Sequence, residues 1–273
     1  ASAALPALGF VDFKIRLNHR KHLTAILDAV QVNDEGQARA LVILDKLDKI
    51  GIEGVKREFL ELGFTAWAAT ELFDFFARVQ QASGSDSQSW NDHALSEMRQ
   101  FVAGHPEGET ALTELEKILD LVNVGEAAGK VVLAPNLARG LSYYTGAIME
   151  ISVEGIGSLG GGGRYDNLVG MFLGEDVPAC GFSLGLERII VVMTERGMFP
   201  PDLLNSPAEV MVTIWNGDSI KESVELAHEL RGAGLRVDLY PEADKVGKQF
   251  KYASSRSIPF VAVIGDDERA WQR

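Results

Sequence analysis

Cysteine is nearly absent from this 273-residue chain: Cys180 stands alone. One thiol excludes an internal disulfide and any zinc site built from cysteines, and the cytoplasm is the expected compartment. No apolar run is long enough to cross a bilayer, so no membrane partner is expected. Basic residues are also short, with 26 Lys and Arg against 39 Asp and Glu, a net charge of −13. That total is unfavourable for a nucleic-acid ligand, whose phosphates demand local positive charge. The deficit is uneven. From Ser206 onward eleven acids face nine bases, a net of −2, and the first 205 residues carry −11. Lys245, Lys248, Lys251 and Arg256 form a basic run with no acid between them. A local face of this kind matters more than the total.

Apolar residues make up 46% of the chain, enough for a sizeable core and for two domains. Phe10–Leu17 alternates apolar and charged residues and predicts a half-buried strand. Asn18 follows as the expected N-cap of a helix over His19–Val30, with Arg20 and Lys21 in a solvated basic turn. From about residue 37 to 129 the apolar spacing is three and four, which predicts a small helical bundle interrupted by the serine-rich break around Ser83–Ser87. His93 and His105 fall here without metal-ligand spacing and read as surface residues. Strands return at Val131–Ala134 and Gly146–Val153. Glycine-rich turns are expected at Gly155–Gly157 and Gly160–Gly163. Another strand at Cys180–Leu184 leads into a helix over Leu186–Met198. Residues 200–207, rich in proline, read as a linker. Beyond them the order is strand 209–214, helix 219–233, strand 236–240, helix 246–255 and strand 260–264. That alternation predicts a small α/β domain over 208–273 with a mainly parallel sheet.

The chemistry concentrates in two neighbouring segments. Ala138–Gly146 carries Arg139, Tyr143 and Tyr144; Gly160–Asp166 carries four successive glycines, then Arg164 and Tyr165. Arginine offers a fixed fork of donors for phosphate or carboxylate. Tyrosine pairs an aromatic face with a hydroxyl able to read a ring nitrogen. Glycine lets the backbone approach a ligand closely, though it also marks bulges and turns. On these residues alone Arg139 could equally pair with a structural carboxylate, Arg188 with Glu187 at a helix start, and the lysine run could be a solvated face. One of two adjacent tyrosines in a strand would face away from any pocket.

The segments Arg139-Gly140-Leu141-Ser142-Tyr143-Tyr144, Gly162-Gly163-Arg164-Tyr165-Asp166-Asn167 and Gly181-Phe182-Ser183-Leu184-Gly185-Leu186-Glu187-Arg188 resemble, in order and spacing, motifs of the histidyl-tRNA synthetase family. The third is similar to motif 3 of class II synthetases. Ser142 stands where that family usually has Asp. The resemblance implies an α+β fold: part of a class II synthetase-like antiparallel sheet over residues 1–199 with a helical insertion at about 37–129. An anticodon-binding-like domain would follow. It implies a histidine–tRNA ligase that joins histidine to ATP and passes the histidyl group to tRNA(His). Arg139 would be catalytic, gripping the histidine carboxylate and the α-phosphate. Tyr143, Tyr144, Gly162 and Tyr165 would join it in binding histidine. Gly181, Gly185 and Arg188 would bind ATP, and Lys245, Lys248 and Lys251 would follow the tRNA backbone. Magnesium enters with ATP; no metal site is assigned, Glu150 being the single candidate ligand. The family is homodimeric. Residues 1–10 leave no room for its motifs 1 and 2, so the resemblance implies a chain that does not aminoacylate tRNA alone and an anticodon-binding domain that stops short. The alternative from another class is a non-catalytic relative that senses tRNA or regulates another enzyme.

Overall fold

β1 (Phe13–His19) is the strand on which the rest of the first unit is assembled. Its odd-numbered residues Phe13, Ile15 and Leu17 are buried, and Lys14 and Arg16 point to the opposite face. The computed structural model describes residues 1–81, 86–139, 143–175, 177–200, 203 and 206–267, and divides into two units, Ala1–Arg196 and the part from Gly197 on. In the first unit the short helix α1 (Ala4–Ala7) precedes β1, and β2 (Val131–Leu133), β3 (Ala147–Val153), β4 (Gly157–Arg164) and β5 (Cys180–Leu184) complete a sheet ordered β2-β1-β3-β4-β5. Every pairing is antiparallel except β1 with β2, which run parallel with Ile15 opposite Val131. The parallel pair follows from the long helical excursion between them, which brings the chain back to the same end of the sheet.

The alternation begins at Phe13 rather than Phe10, and Asn18 is not the helix cap. Asn18 is the penultimate residue of the strand, buried, and donates from Nδ2 to the carbonyls of Pro135 and Leu137, both at 3.0 Å. His19 caps α2 (Arg20–Ala29) instead, its Nδ1 accepting from the Lys21 N–H at 3.1 Å. The expected solvated turn is also partly inside the protein, because His22 is fully buried.

The helical segment consists of α3 (Asp34–Leu44), α4 (Leu47–Glu61), α5 (Ala66–Gln80), α6 (Ser87–Phe101) and α7 (Pro106–Val122). α3 and α4 divide the apolar spacing between residues 44 and 47, and Gly51, at φ +69°, kinks α4. Phe75 stacks on Phe101 at 4.2 Å, and Phe73 meets Phe59 and Phe76 edge-on. His105 is not a bare surface residue: its Nδ1 caps α7, and its Nε2 lies 3.0 Å from Asp28. His93 reaches the carbonyl of Arg78 at 2.9 Å. α6 covers the outer edge of β2. Asn91 there accepts from the Leu133 N–H and donates to the Val131 carbonyl, while Trp90 donates to the Leu133 carbonyl. An edge strand is thereby supplied with hydrogen-bond partners.

The glycine run expected as a turn is a strand: Gly160–Gly163 lie inside β4, between Ile148–Ile151 of β3 and Gly181–Leu184 of β5. The neighbours come too close for side chains. A Cβ on Gly162 would lie 2.1 Å from the Gly181 carbonyl, and one on Gly160 would lie 2.4 Å from that of Ser183. After β4 comes α8 (Asp166–Leu173), a helix absent from the sequence reading, and after β5 comes α9 (Leu186–Glu195). Arg196 closes α9 onto the entry of β1 through a two-pronged pair with Asp12 at 2.9 and 3.1 Å. That pair holds the Asp12 carboxyl below its usual range.

The second unit has the expected strand–helix alternation. β6 (Val210–Val212) lies between β7 (Val237–Leu239) and β8 (Phe260–Ala262), all parallel, with α10 (Ile220–Gly232) and α11 (Val246–Ser255) as the crossovers. Ala208, Met211, Tyr240, Ala253 and Ile258 form its core. The buried Gln249 of α11 accepts from the Ile214 N–H at 3.0 Å and donates to its carbonyl at 2.7 Å, pinning the helix to the end of β6. Half of the linker expected at 200–207 lies outside the described residues, as does most of the serine-rich break.

Candidate functional site

The register of the first sheet sets the site. Arg16 of β1 stands opposite Glu150 of β3, which stands opposite Gly161 of β4. Two residues further along the same face, Gly163 stands opposite Gly181. These glycines make a floor on which larger side chains rest. A Cβ on Gly161 would approach Arg139 Nη1 to 2.6 Å, one on Gly163 would meet the Tyr144 ring at 2.8 Å, and one on Gly181 would lie 1.9 Å from the Tyr165 hydroxyl. Glycine is required because the backbone itself seats an arginine and two tyrosines.

Arg139 reaches this floor from the loop after β2. Its Nη1 donates to Ser158 Oγ at 3.0 Å and to the Gly160 carbonyl at 3.3 Å, and pairs with Glu150 Oε1 at 3.1 Å. Glu150 is nearly buried, and its other oxygen accepts from Arg16 Nη1 at 3.2 Å. The one acid considered for magnesium is therefore occupied by two guanidinium groups. Arg16 also pairs with Asp48 in the first turn of α4.

The three tyrosines cluster, Tyr143 and Tyr144 lining the same hollow as Arg139 and Tyr165 outside that lining. Tyr143 and Tyr144 lie 4.4 Å apart, and each lies 6.4 Å from Tyr165. Burial, with a hydrogen bond donated to Tyr143, pushes the Tyr144 hydroxyl up to about 12, so it is a neutral donor at ordinary pH. Arg188, in the first turn of α9, donates from Nη2 to the Ile156 carbonyl at 2.6 Å. Arg139, Tyr143, Tyr144, Gly162, Gly185 and Arg188 line one hollow of about 510 Å³. Gly162 does so through its backbone, because its Cβ direction points at β5. A second hollow of about 410 Å³ adjoins it, sharing Arg139 and Arg188 and reaching Arg16, Lys49 and Asp48. Ser142 lies outside the described residues.

Five of the six pattern-predicted residues that line the first hollow come from two loops and one helix start that the chain separates by up to 49 positions. Sequence reading missed Arg16, Asp48, Ser158 and Gly161. The alternation of β1 placed Arg16 on a polar face, but nothing local marks its partner as Glu150. In the second unit Lys245 precedes α11, and Lys248 and Lys251 follow on it, all exposed. Lys248 is paired with Asp244, which raises the ammonium above its usual range.

An antiparallel sheet with one parallel edge pair, carrying arginines and tyrosines on a glycine floor and accompanied by a separate parallel α/β unit, defines a class II aminoacyl-tRNA synthetase fold. Comparison with known proteins narrows this. The family model described as histidyl-tRNA synthetase matches residues 1–189, and an anticodon binding domain model matches 209–271. The chain is 37% identical over 270 residues to the histidine–tRNA ligase of Cytophaga hutchinsonii, covering 97% of this chain and 57% of that protein. The crystal structure of histidyl-tRNA synthetase from Nostoc sp. PCC 7120 superposes with a TM-score of 0.61 at 31% identity, over 98% of this chain and 62% of that one. A Bacillus halodurans structure described as an ATP phosphoribosyltransferase regulatory subunit/histidyl-tRNA synthetase shares the fold, with a TM-score of 0.58 at 22% identity, over 96% of this chain and 62% of that one. The chain belongs to the histidyl-tRNA synthetase family. It spans somewhat more than half the length of the curated relatives it matches.

Proposed function

We propose that this chain supplies the histidine pocket and the ATP-tail arginine for the histidine–tRNA ligase reaction. The observation that carries the reading is Arg139, tethered at a single nitrogen on a glycine floor and sharing its hollow with Tyr143 and Tyr144. In the first step a histidine carboxylate oxygen attacks the α-phosphorus of ATP. A phosphorus–oxygen bond forms, the bond to the leaving pyrophosphate breaks, and histidyl-adenylate results. Two anions must meet, and Arg139 supplies fixed positive charge where they do. Tyr144 and Tyr165, with Tyr143 beside them, present hydroxyls to the imidazole, a kind of recognition that rejects analogues lacking the ring nitrogens. Arg188 holds the ATP tail, and Gly185 keeps the helix start open beneath the nucleotide, while Gly181, the other expected ATP residue, seats the Tyr165 hydroxyl beside it. Magnesium accompanies ATP as part of the substrate. In the second step the histidyl group passes to the 3′ end of tRNA, whose backbone follows Lys245, Lys248 and Lys251. The working form is a cytoplasmic homodimer.

The test is histidine-dependent exchange of label between pyrophosphate and ATP. It is run on this chain and on a chain extended to the full length of its relatives, each with and without Arg139→Ala. Exchange in either form that falls at least about a hundredfold in Arg139→Ala supports the reading, as expected when a charge-stabilising donor is removed. No exchange in both forms, or exchange indifferent to Arg139, overturns it.

A further inference from the structure

Taking Arg139 as the oxyanion-binding residue proposed above, its tether is notable for using one atom only. Ser158, the Gly160 carbonyl and Glu150 all engage Nη1. Among the described residues Nη2 and Nε are given no partner, and the side chain is 38% exposed. A guanidinium beside a nearly buried carboxylate ordinarily closes a two-pronged fork on it. Arg139 does not, and the register explains why. Glu150 Oε2 is already occupied by Arg16, its direct cross-strand partner, at 3.2 Å. Arg16 in turn is held by Asp48, which accepts from the same Nη1 that meets Glu150.

We propose that Arg16, anchored by Asp48, is a positioning residue: by holding Glu150 Oε2 it keeps Arg139 one-pronged and leaves its second terminal nitrogen for an oxyanion ligand. The four groups carry two positive and two negative charges, so the network is neutral and its placement, more than surplus charge, is what it contributes. With Oε2 vacated, Arg139 turns inward, both its terminal nitrogens are satisfied by Glu150, and its charge is spent within the protein. Asp48 lies in the first turn of α4, so the helical segment reaches the aim of Arg139 through three side chains.

The test measures magnesium–ATP affinity by titration calorimetry for the unaltered chain, Arg16→Met, Arg16→Lys, Arg139→Ala and the Arg16→Met/Arg139→Ala pair. Arg16→Met is expected to weaken binding about tenfold, the order of one charge-assisted hydrogen bond. Arg16→Lys restores a cation opposite Glu150 and is expected to recover most of that loss. In the Arg139→Ala background Arg16→Met is expected to add nothing, because the residue acts through Arg139. A merely structural role would lower the melting temperature and the binding stoichiometry while leaving the affinity of the remaining folded protein unchanged. Unchanged affinity in Arg16→Met, an equal loss with and without Arg139, or no recovery in Arg16→Lys overturns the inference. If ATP is bound neither by the unaltered chain nor by the chain extended to the length of its relatives, or if Arg139→Ala binds it as well, the functional reading itself fails and this inference falls with it.

Discussion

His22 shows how much a single side chain can commit a fold to one protonation state. It is fully buried, with Nδ1 3.2 Å from Asn18 Oδ1, and Nε2 has no hydrogen-bond partner among the described residues. Burial, and then the neighbouring His19, lowers its pKa to about 3. The unfolded chain takes up this proton near the ordinary histidine value of about 6.5, whereas the folded chain refuses it until about 3. The contribution to stability is therefore complete above that unfolded value and declines as pH falls, at about 1.4 kcal/mol per pH unit. Between pH 7 and pH 5 the expected loss is about 2 kcal/mol. His19 adds in the same direction, since burial outweighs its pairing with Glu114. Urea unfolding at the two pH values should show this loss, and His22→Leu should flatten most of it. An equally steep dependence in His22→Leu would show that some other group takes up the proton. The sequence made Asn18-His19-Arg20-Lys21 visible as a cluster but misassigned the cap by one residue. Asn18 has the better capping side chain, yet two loop carbonyls at 3.0 Å claim its amide, and such long-range demands leave no local trace.

At the scale of elements, apolar content and structural weight separate. α5 and α6 bring Phe75 and Phe101 into a stacked pair inside the helical core, and Phe75 is fully buried. Phe75→Ala is expected to cost about 3–5 kcal/mol. α8 is as apolar as any helix here but buries no residue, and Phe172 is 83% exposed. Phe172→Ser should change stability by less than about 0.5 kcal/mol. Chemical denaturation of the two variants separates the cases; a large loss in Phe172→Ser would mean that α8 is packed in solution. The same separation governs what could be read in advance. The helical bundle and the strand–helix alternation after residue 208 were legible because their periodicities repeat over many residues. α8 was not, because Gly170 sits within it and no buried stripe marks one face. The Gly160–Gly163 run reads locally as a turn, and it becomes a strand only because β3 and β5 approach too closely for any Cβ. The segments of the candidate site stood out through their resemblance to a family. Its supporting row of Arg16, Glu150 and Gly161 is a matter of cross-strand register, which spans 145 positions of sequence.

At the scale of the whole molecule, a net charge of −13 has to be reconciled with the proposed tRNA ligand. Long-range repulsion by the acidic surface weakens with salt, whereas attraction between lysines and phosphates also weakens with salt, through release of counterions. The local contacts dominate once the tRNA is bound, so affinity is expected to fall as salt rises. The three exposed lysines do not count equally. Lys248 is engaged by Asp244, while Lys245 and Lys251 have no ion pair among the described residues. Exchanging a phosphate for Asp244 gains less than meeting a phosphate from water, so Lys248→Ala should matter least. For tRNA(His) binding measured by filter retention across a salt series, Lys245→Ala and Lys251→Ala should each weaken binding and each reduce the log–log salt slope by about one. Asp244→Asn, by freeing Lys248, should strengthen binding and steepen the slope. Slopes that do not change in any of the four variants would place the tRNA on another face, and the lysine run would then be what its composition alone allows, a solvated helix surface.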